Sequence, residues 1–146
     1  MDEQPVDDAT LASLRAAAAK ASVMTWNPYS GYTVLAAVET ADGRFYGGSN
    51  VENANYTLTK HAEEAAVLAA LQDGALARLG RKWLKGVYVS SPEAPAPCGG
   101  CRQFINEFVA AGAYWVGEDS RGGLQGGVFA ELLPFGFSPE KLGVGE

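Results

Sequence analysis

The sequence predicts an α/β fold, a mixed sheet with helices packed against it. Three observations lead there. Segments with helical spacing and short segments with strand character follow one another in the order α-β-β-α-β-α-β-β. Glycine and proline fall between these segments, and no internal repeat interrupts them. The 146 residues, 47% hydrophobic and 19% charged, are enough to bury one core and indicate one domain over residues 1–146.

Asp7, Asp8 and Thr10 are candidate N-caps for a first helix running to about Val23, with Leu11, Leu14, Ala18 and Ala21 as its apolar stripe. Asn27-Pro28-Tyr29-Ser30-Gly31 reads as a loop. A strand follows from Tyr32 to Thr40, then a tight turn at Asp42-Gly43 and a returning strand from Phe45 to Ser49. Asn50-Val51-Glu52-Asn53-Ala54 should end that strand. Its polar side chains either cap turns or bind the hydroxyls of a small polar ligand, and their place just ahead of His61 favours the ligand.

Thr59 is a plausible N-cap for a helix over about Lys60 to Gln72, apolar enough to be mostly buried. Gly74 and Gly80 bracket an irregular connection, Gly86 to Ser90 reads as a short strand, and Ser91 to Pro97 as the loop leaving it. Pro97 suits the first turn of the next helix, where Cys98, Cys101, Ile105 and Phe108 share a face and Gly112 fits as the stop. Ala113 to Val116 is another strand, Arg121 to Gly127 a glycine-rich turn or loop, and Val128-Phe129-Ala130 a last strand.

The net charge of −6 argues against a nucleic-acid partner, because polynucleotide binding depends on Lys and Arg facing phosphates. Arg78, Arg81, Lys82 and Lys85 cluster in one stretch, which reads more simply as a solvated face. No apolar run approaches the roughly 18 residues of a membrane span. Met1-Asp2-Glu3-Gln4 lacks the apolar region of a secretory signal, and two cysteines three positions apart make no disulfide framework. The expectation is an intracellular, cytoplasmic protein.

The chemistry concentrates in His61-Ala62-Glu63 and Pro97-Cys98-Gly99-Gly100-Cys101, which hold the only histidine and the only cysteines. Cys98 and Cys101, spaced i, i+3 at a helix start, can point their sulfurs the same way, and the helix N-terminus favours thiolate. His61 supplies a third soft ligand, leaving one zinc position for water. Glu63 is placed to move protons rather than to ligate. Taken alone, Pro-Cys-Gly-Gly-Cys would also fit a thiol oxidoreductase, a lone histidine a structural role, and a helical glutamate a solvated one. A closed structural zinc module would need a fourth ligand, and with no third cysteine or second histidine in the chain only an Asp or Glu could supply it. The conjunction of H-x-E with P-C-x-x-C is the pattern of zinc-dependent nucleobase deaminases.

Beyond that motif the chain resembles the cytidine deaminases, specifically the small tetrameric nucleoside type. Four blocks carry the likeness: Tyr29 to Val34, Asn50 to Ala54 with Tyr56 to Glu63, Pro97 to Gln103, and Glu131 to Pro134 with Phe137 and Pro139. The resemblance implies a three-layer fold, a mixed five-stranded sheet with helices on both faces. It implies zinc held by His61, Cys98 and Cys101, with Glu63 as the catalytic acid–base. The reaction it implies is hydrolytic deamination of cytidine or 2′-deoxycytidine, a step of pyrimidine salvage. It also implies ribose contacts from Asn50 and Glu52, a backbone contact to the pyrimidine from Ala62, and packing of Tyr32 near the base, where the family usually has Phe. Phe137 matches an aromatic lent by a neighbouring subunit of a homotetramer.

The chain departs from the family in places. The usual Cys-Ala-Glu-Arg is His61-Ala62-Glu63-Glu64 here. Two thiolates and a neutral histidine already balance zinc, so the family's arginine is not needed, and Glu64 is expected to point away from the sulfurs. Leu35 replaces a usual glycine, and Phe135 stands where a small residue is common. A deaminase of a modified cytidine or of an aminonucleoside antibiotic, blasticidin-S-like, is the alternative within the same chemistry. Retention of Asn50 and Glu52 favours a ribose-bearing substrate.

Overall fold

Asp7, of the three candidate caps, starts the first helix. Its Oδ1 accepts the Thr10 backbone N–H at 2.7 Å, and helix α1 spans Asp8–Lys20 before one turn of 3-10 helix closes it at Met24. The structure, a computed structural model, describes residues 4–93 and 96–145. Met1 to Glu3, and Ala94 and Pro95 of the predicted 91–97 loop, lie outside the described residues.

Strands β1 (Leu35–Thr40) and β2 (Phe45–Ser49) form the expected hairpin. Gly43 sits at φ +79, the left-handed conformation its turn requires. Strand β1 begins at Leu35 rather than Tyr32, because Tyr32 and Val34 are held instead by the side chain of Asn50. Helix α2 (Ala62–Gln72) starts later than expected, with His61 and not Thr59 as its N-cap. A short helix α3 (Ala75–Leu79) fills the 74–80 connection, and β3 spans Leu84–Ser90.

Helix α4 covers Gly99–Asn106. Its N-cap is Cys98, so Pro97 precedes the helix instead of entering its first turn. The helix stops well short of Gly112, which lies inside β4 (Val109–Glu118) at φ +75. There the register slips between the Leu84–Val109 and Gly86–Tyr114 pairs, and glycine accommodates the irregularity. The expected glycine-rich loop is largely strand β5 (Leu124–Val128), and the expected last strand at 128–130 becomes a 3-10 turn over Phe129–Leu132.

The five strands lie in the order β2-β1-β3-β4-β5, with β3 and β4 parallel and the other neighbours antiparallel. Alternation along the strands sends side chains to two faces. Ala37, Tyr88 and Val116 meet Leu11, Leu14 and Ala18 of α1. Ala36, Val38, Val87 and Val89 face α2 and α4 through Ala62, Ala66, Cys101 and Ile105. Helices thus cover both faces of a mixed five-stranded sheet, as the resemblance implied. Helix α2 lies so close to β2 that a Cβ on Gly48 would stand 2.3 Å from the Ala62 carbonyl oxygen.

The basic stretch is matched by acid, two of the three carboxylates outside the core and the third, Glu39, buried. Arg78 pairs with Asp42, Lys85 with Glu39, and both Arg81 and Lys82 with Glu140. No described helix is long and apolar enough to cross a membrane.

Candidate metal centre and active site

The N-terminal ends of α2 and α4 converge beside the C-terminal end of β3. His61, extended at φ −78 and ψ 156, is the last residue before α2 begins. Its predecessor is fixed by a two-way bridge, Val51 N–H to Lys60 O at 2.9 Å and Lys60 N–H to Val51 O at 2.8 Å. Cys98 caps α4, and its Sγ accepts the Cys101 N–H at 3.5 Å. One turn on, Cys101 is buried while Cys98 is exposed.

His61 Nδ1 stands 3.2 Å from Cys101 Sγ and 3.4 Å from Cys98 Sγ. All three ligand atoms lie within 4.8 Å of one another. Around a tetrahedral zinc, with bonds of about 2.3 Å to sulfur and about 2.0 Å to nitrogen, an N–S pair is separated by about 3.5 Å. The donors therefore fit that ion in both chemistry and spacing. Among the described residues the cluster comprises these three side chains, which leaves a fourth coordination position free of protein ligands.

Glu63, two residues into α2, is 4% exposed. Burial raises its carboxyl above the ordinary carboxylate range, with His61 opposing the shift. Burial also pushes the Cys101 thiol up, and Glu63 adds to that. A divalent cation held by these side chains would supply the opposite field and favour thiolate. A cleft of about 380 Å³ opens onto this group, bounded among others by Tyr32, Asn50, Glu52, Ala62 and Ser91. That volume accommodates a small molecule of nucleoside size.

Residues 8–116 match the family described as the cytidine and deoxycytidylate deaminase zinc-binding region. The chain belongs to the cytidine deaminase family. It is similar to the cytidine deaminase of Sporosarcina psychrophila, with 36% identity over 124 residues, 84% of this chain and 88% of the relative. The cytidine deaminase of Halalkalibacterium halodurans is 34% identical over 116 residues, 79% of this chain and 84% of the relative. Among solved structures, the cytidine deaminase of Burkholderia pseudomallei superposes with a TM-score of 0.75 at 33% identity, covering 90% of this chain and 99% of that one. Zinc-dependent hydrolytic deamination is accordingly the chemistry of this chain, and zinc its cofactor.

The remaining expected site residues of this deaminase are placed as follows. Tyr32, Asn50, Glu52 and Ala62 all reach the cleft. Asn50 and Glu52 are also loop clamps. Asn50 accepts from Val34 N–H at 3.0 Å and donates to Tyr32 O at 2.7 Å. Glu52 accepts from the Tyr29 and Ser30 amides at 3.0 and 3.1 Å and from the Ser30 hydroxyl at 2.5 Å, and that hydroxyl holds its carboxyl below the ordinary range. The turn-capping alternative for this stretch is therefore realised, and both side chains also line the cleft.

Phe137 does not reach the cleft of its own chain. It is 56% exposed, and its carbonyl is anchored by Gln103 at 2.8 Å and Asn106 at 3.1 Å. Leu35 packs with the α1-side core, away from the cleft. Phe135 is fully exposed at φ +56. Sequence reasoning missed Ser30 and Ser91 as wall residues, and Arg102 as a brace that donates to Pro97 O at 2.7 Å and Leu132 O at 3.0 Å. Ser30 belongs to the Tyr29–Val34 block and Arg102 follows Cys101, so proximity to the motifs was their one signal.

Proposed function

We propose that this chain deaminates cytidine and 2′-deoxycytidine to the corresponding uridines, with His61, Cys98 and Cys101 as zinc ligands and Glu63 as the proton carrier. One observation carries this reading: three candidate ligand atoms at zinc spacing stand beside a buried carboxylate, and His61, Cys98 and Glu63 line one cleft. When bound, zinc supplies Lewis acidity that brings the pKa of a water from about 15.7 to about 7.

Glu63 takes the proton of the attacking water and delivers it to the ring nitrogen N3 as oxygen bonds to C4. It then moves a second proton to the exocyclic amine, which leaves as ammonia when the C4–N bond breaks. Desolvation suits the carboxylate to this cycle, because it brings its proton affinity closer to that of the groups it serves. The backbone of Ala62 holds the pyrimidine, Tyr32 packs against the base, and Asn50 and Glu52 hold the ribose hydroxyls. Phe137 closes the cleft of a neighbouring subunit in a homotetramer, a role supported by its exposure and by the anchoring of its backbone. The free, metal-placed cysteines suit a reducing compartment, and we place the enzyme in the cytoplasm, serving pyrimidine salvage.

The test is turnover of cytidine, followed as ammonia release and the ultraviolet change to uridine. Glu63→Gln should keep zinc and lose activity by a factor of about 10²–10⁴. A Glu63→Gln protein with wild-type turnover would remove Glu63 from the mechanism. A zinc-loaded wild type inert towards cytidine would refute the substrate assignment in favour of a modified nucleoside.

A further inference from the structure

Glu64 follows the proton carrier and has no part in the reaction just described. Its Oε1 accepts the backbone N–H of His61 at 3.2 Å. We propose that Glu64 is a positioning residue of the metal centre, whose carboxylate fixes the backbone of His61 so that Nδ1 faces the two sulfurs. The inference rests on His61 being a zinc ligand.

The geometry makes His61 sensitive to its own backbone. The nitrogen that meets Cys98 and Cys101 is Nδ1, the ring nitrogen nearer the main chain, and only two side-chain torsions link the rigid ring to the backbone. A small rotation at the Cα therefore moves the ligand atom. The neighbouring backbone is restrained on both sides. Lys60 is bridged to Val51 in both directions, and the His61 carbonyl accepts the Ala65 N–H at 3.1 Å as the first bond of α2. The His61 N–H is the remaining main-chain handle, and Glu64 takes it.

Glu64 occupies the third position of α2, from which a glutamate reaches back to the N-cap amide as one half of a capping box. An acid there also suits the positive end of the helix dipole. The arginine that the resemblance places at this position has donors only and cannot accept an amide proton. Replacing it by glutamate therefore changes the role of the position from a donor to an acceptor that holds the histidine backbone.

The experiment compares zinc affinity, by competition with a chromogenic chelator, in the wild type, Glu64→Gln, Glu64→Ala and Glu64→Met. The visible spectrum of each cobalt-substituted protein reports ligand geometry independently of turnover. Glutamine keeps a carbonyl acceptor and should bind zinc nearly as the wild type does. Alanine and methionine should weaken binding by about 10–100-fold and shift the cobalt bands, as loss of an outer partner of a ligand does. Methionine matches glutamate in length and helix propensity, so it removes the acceptor while keeping the bulk that alanine loses. Wild-type zinc affinity in Glu64→Met, or equal losses in Glu64→Gln and Glu64→Met, would overturn the positioning role. His61→Ala separates the two levels. Undiminished zinc binding in that variant would overturn the ligand assignment itself and the inference with it. Zinc lost in His61→Ala but kept in Glu64→Met would overturn the positioning role alone.

Discussion

The Ser30 hydroxyl donates to Glu52 Oε2 at 2.5 Å, and the Ser30 and Tyr29 amides converge on the other oxygen of the same carboxylate. The wall of the cleft that carries Tyr32 is thus tied to a residue proposed to hold ribose. Ser30→Ala should raise KM for cytidine several-fold and leave kcat nearly unchanged, since the carboxylate loses one charge-assisted hydrogen bond while the two amides still hold it. Steady-state kinetics check this. An unaltered KM would show that the hydroxyl does not shape the bound state.

Phe137 lies outside the cleft of its own chain, so its substitution should act between chains. Phe137→Ala is expected to raise KM without loss of zinc. Co-expression with Glu63→Gln sharpens the test, because mixed assemblies contain sites that have both a native Glu63 and a native Phe137. Recovery of substrate affinity in the mixture is expected, and its absence would place the aromatic outside any shared site.

Gly48→Ala tests how the sheet positions the chemistry. The added methyl meets the Ala62 carbonyl oxygen at 2.3 Å and the Ala66 nitrogen at 2.4 Å, and helix backbone cannot turn aside as a side chain can. Helix α2 must move, carrying His61 and Glu63 with it. Denaturant melts should show a loss of about 1–3 kcal/mol, accompanied by weaker zinc binding. A stable variant with wild-type zinc affinity would contradict this coupling.

Glu118 ties α1 to β4. It accepts from Arg15 Nε at 2.9 Å and Nη2 at 2.7 Å, and from the Tyr88 hydroxyl at 2.7 Å. Arg15 chiefly holds its carboxyl below the ordinary value, with Tyr88 helping. A depressed folded-state pKa contributes stability that is present above the unfolded value of about 4.3 and is lost as pH falls through the folded one. Glu118→Gln should therefore flatten the acid limb of stability below about pH 4.3, by about 1 kcal/mol or less for a partly exposed pair. Melting temperatures across that range measure it, and identical acid limbs in the two proteins would dismiss the pair as a source of pH dependence.

The convergence of His61, Cys98 and Cys101 was legible because its signal is local. Cys98 and Cys101 needed only a helix start to share a direction, and His61-Ala62-Glu63 needed only another. Where each helix starts was less legible: Thr59 is a stronger conventional N-cap than His61, and Pro97 suits a first helical turn, yet the helices begin after His61 and Cys98, where Cys98 Sγ accepts the Cys101 N–H. Strand β5 was hidden for a different reason. Gln125-Gly126-Gly127 has no side-chain alternation, and its extended form comes from pairing with β4, where Pro5 and the Trp115 carbonyl leave no room for a Cβ at Gly126. Gly112 reads as a helix stop until the slip between β3 and β4 shows why the residue is there. Asn50 and Glu52 were recognised as polar and near the site, but their hold on the 29–34 loop depends on a long-range fold.

His61 and the two cysteines are 37 and 40 residues apart in sequence, separated by α2, α3 and the whole of β3. No nascent chain released before Cys101 holds all three donors. With the proposed ligand set, metal capture therefore requires synthesis through the start of α4, and a chain truncated before Cys101 should fail to hold zinc as the full chain does.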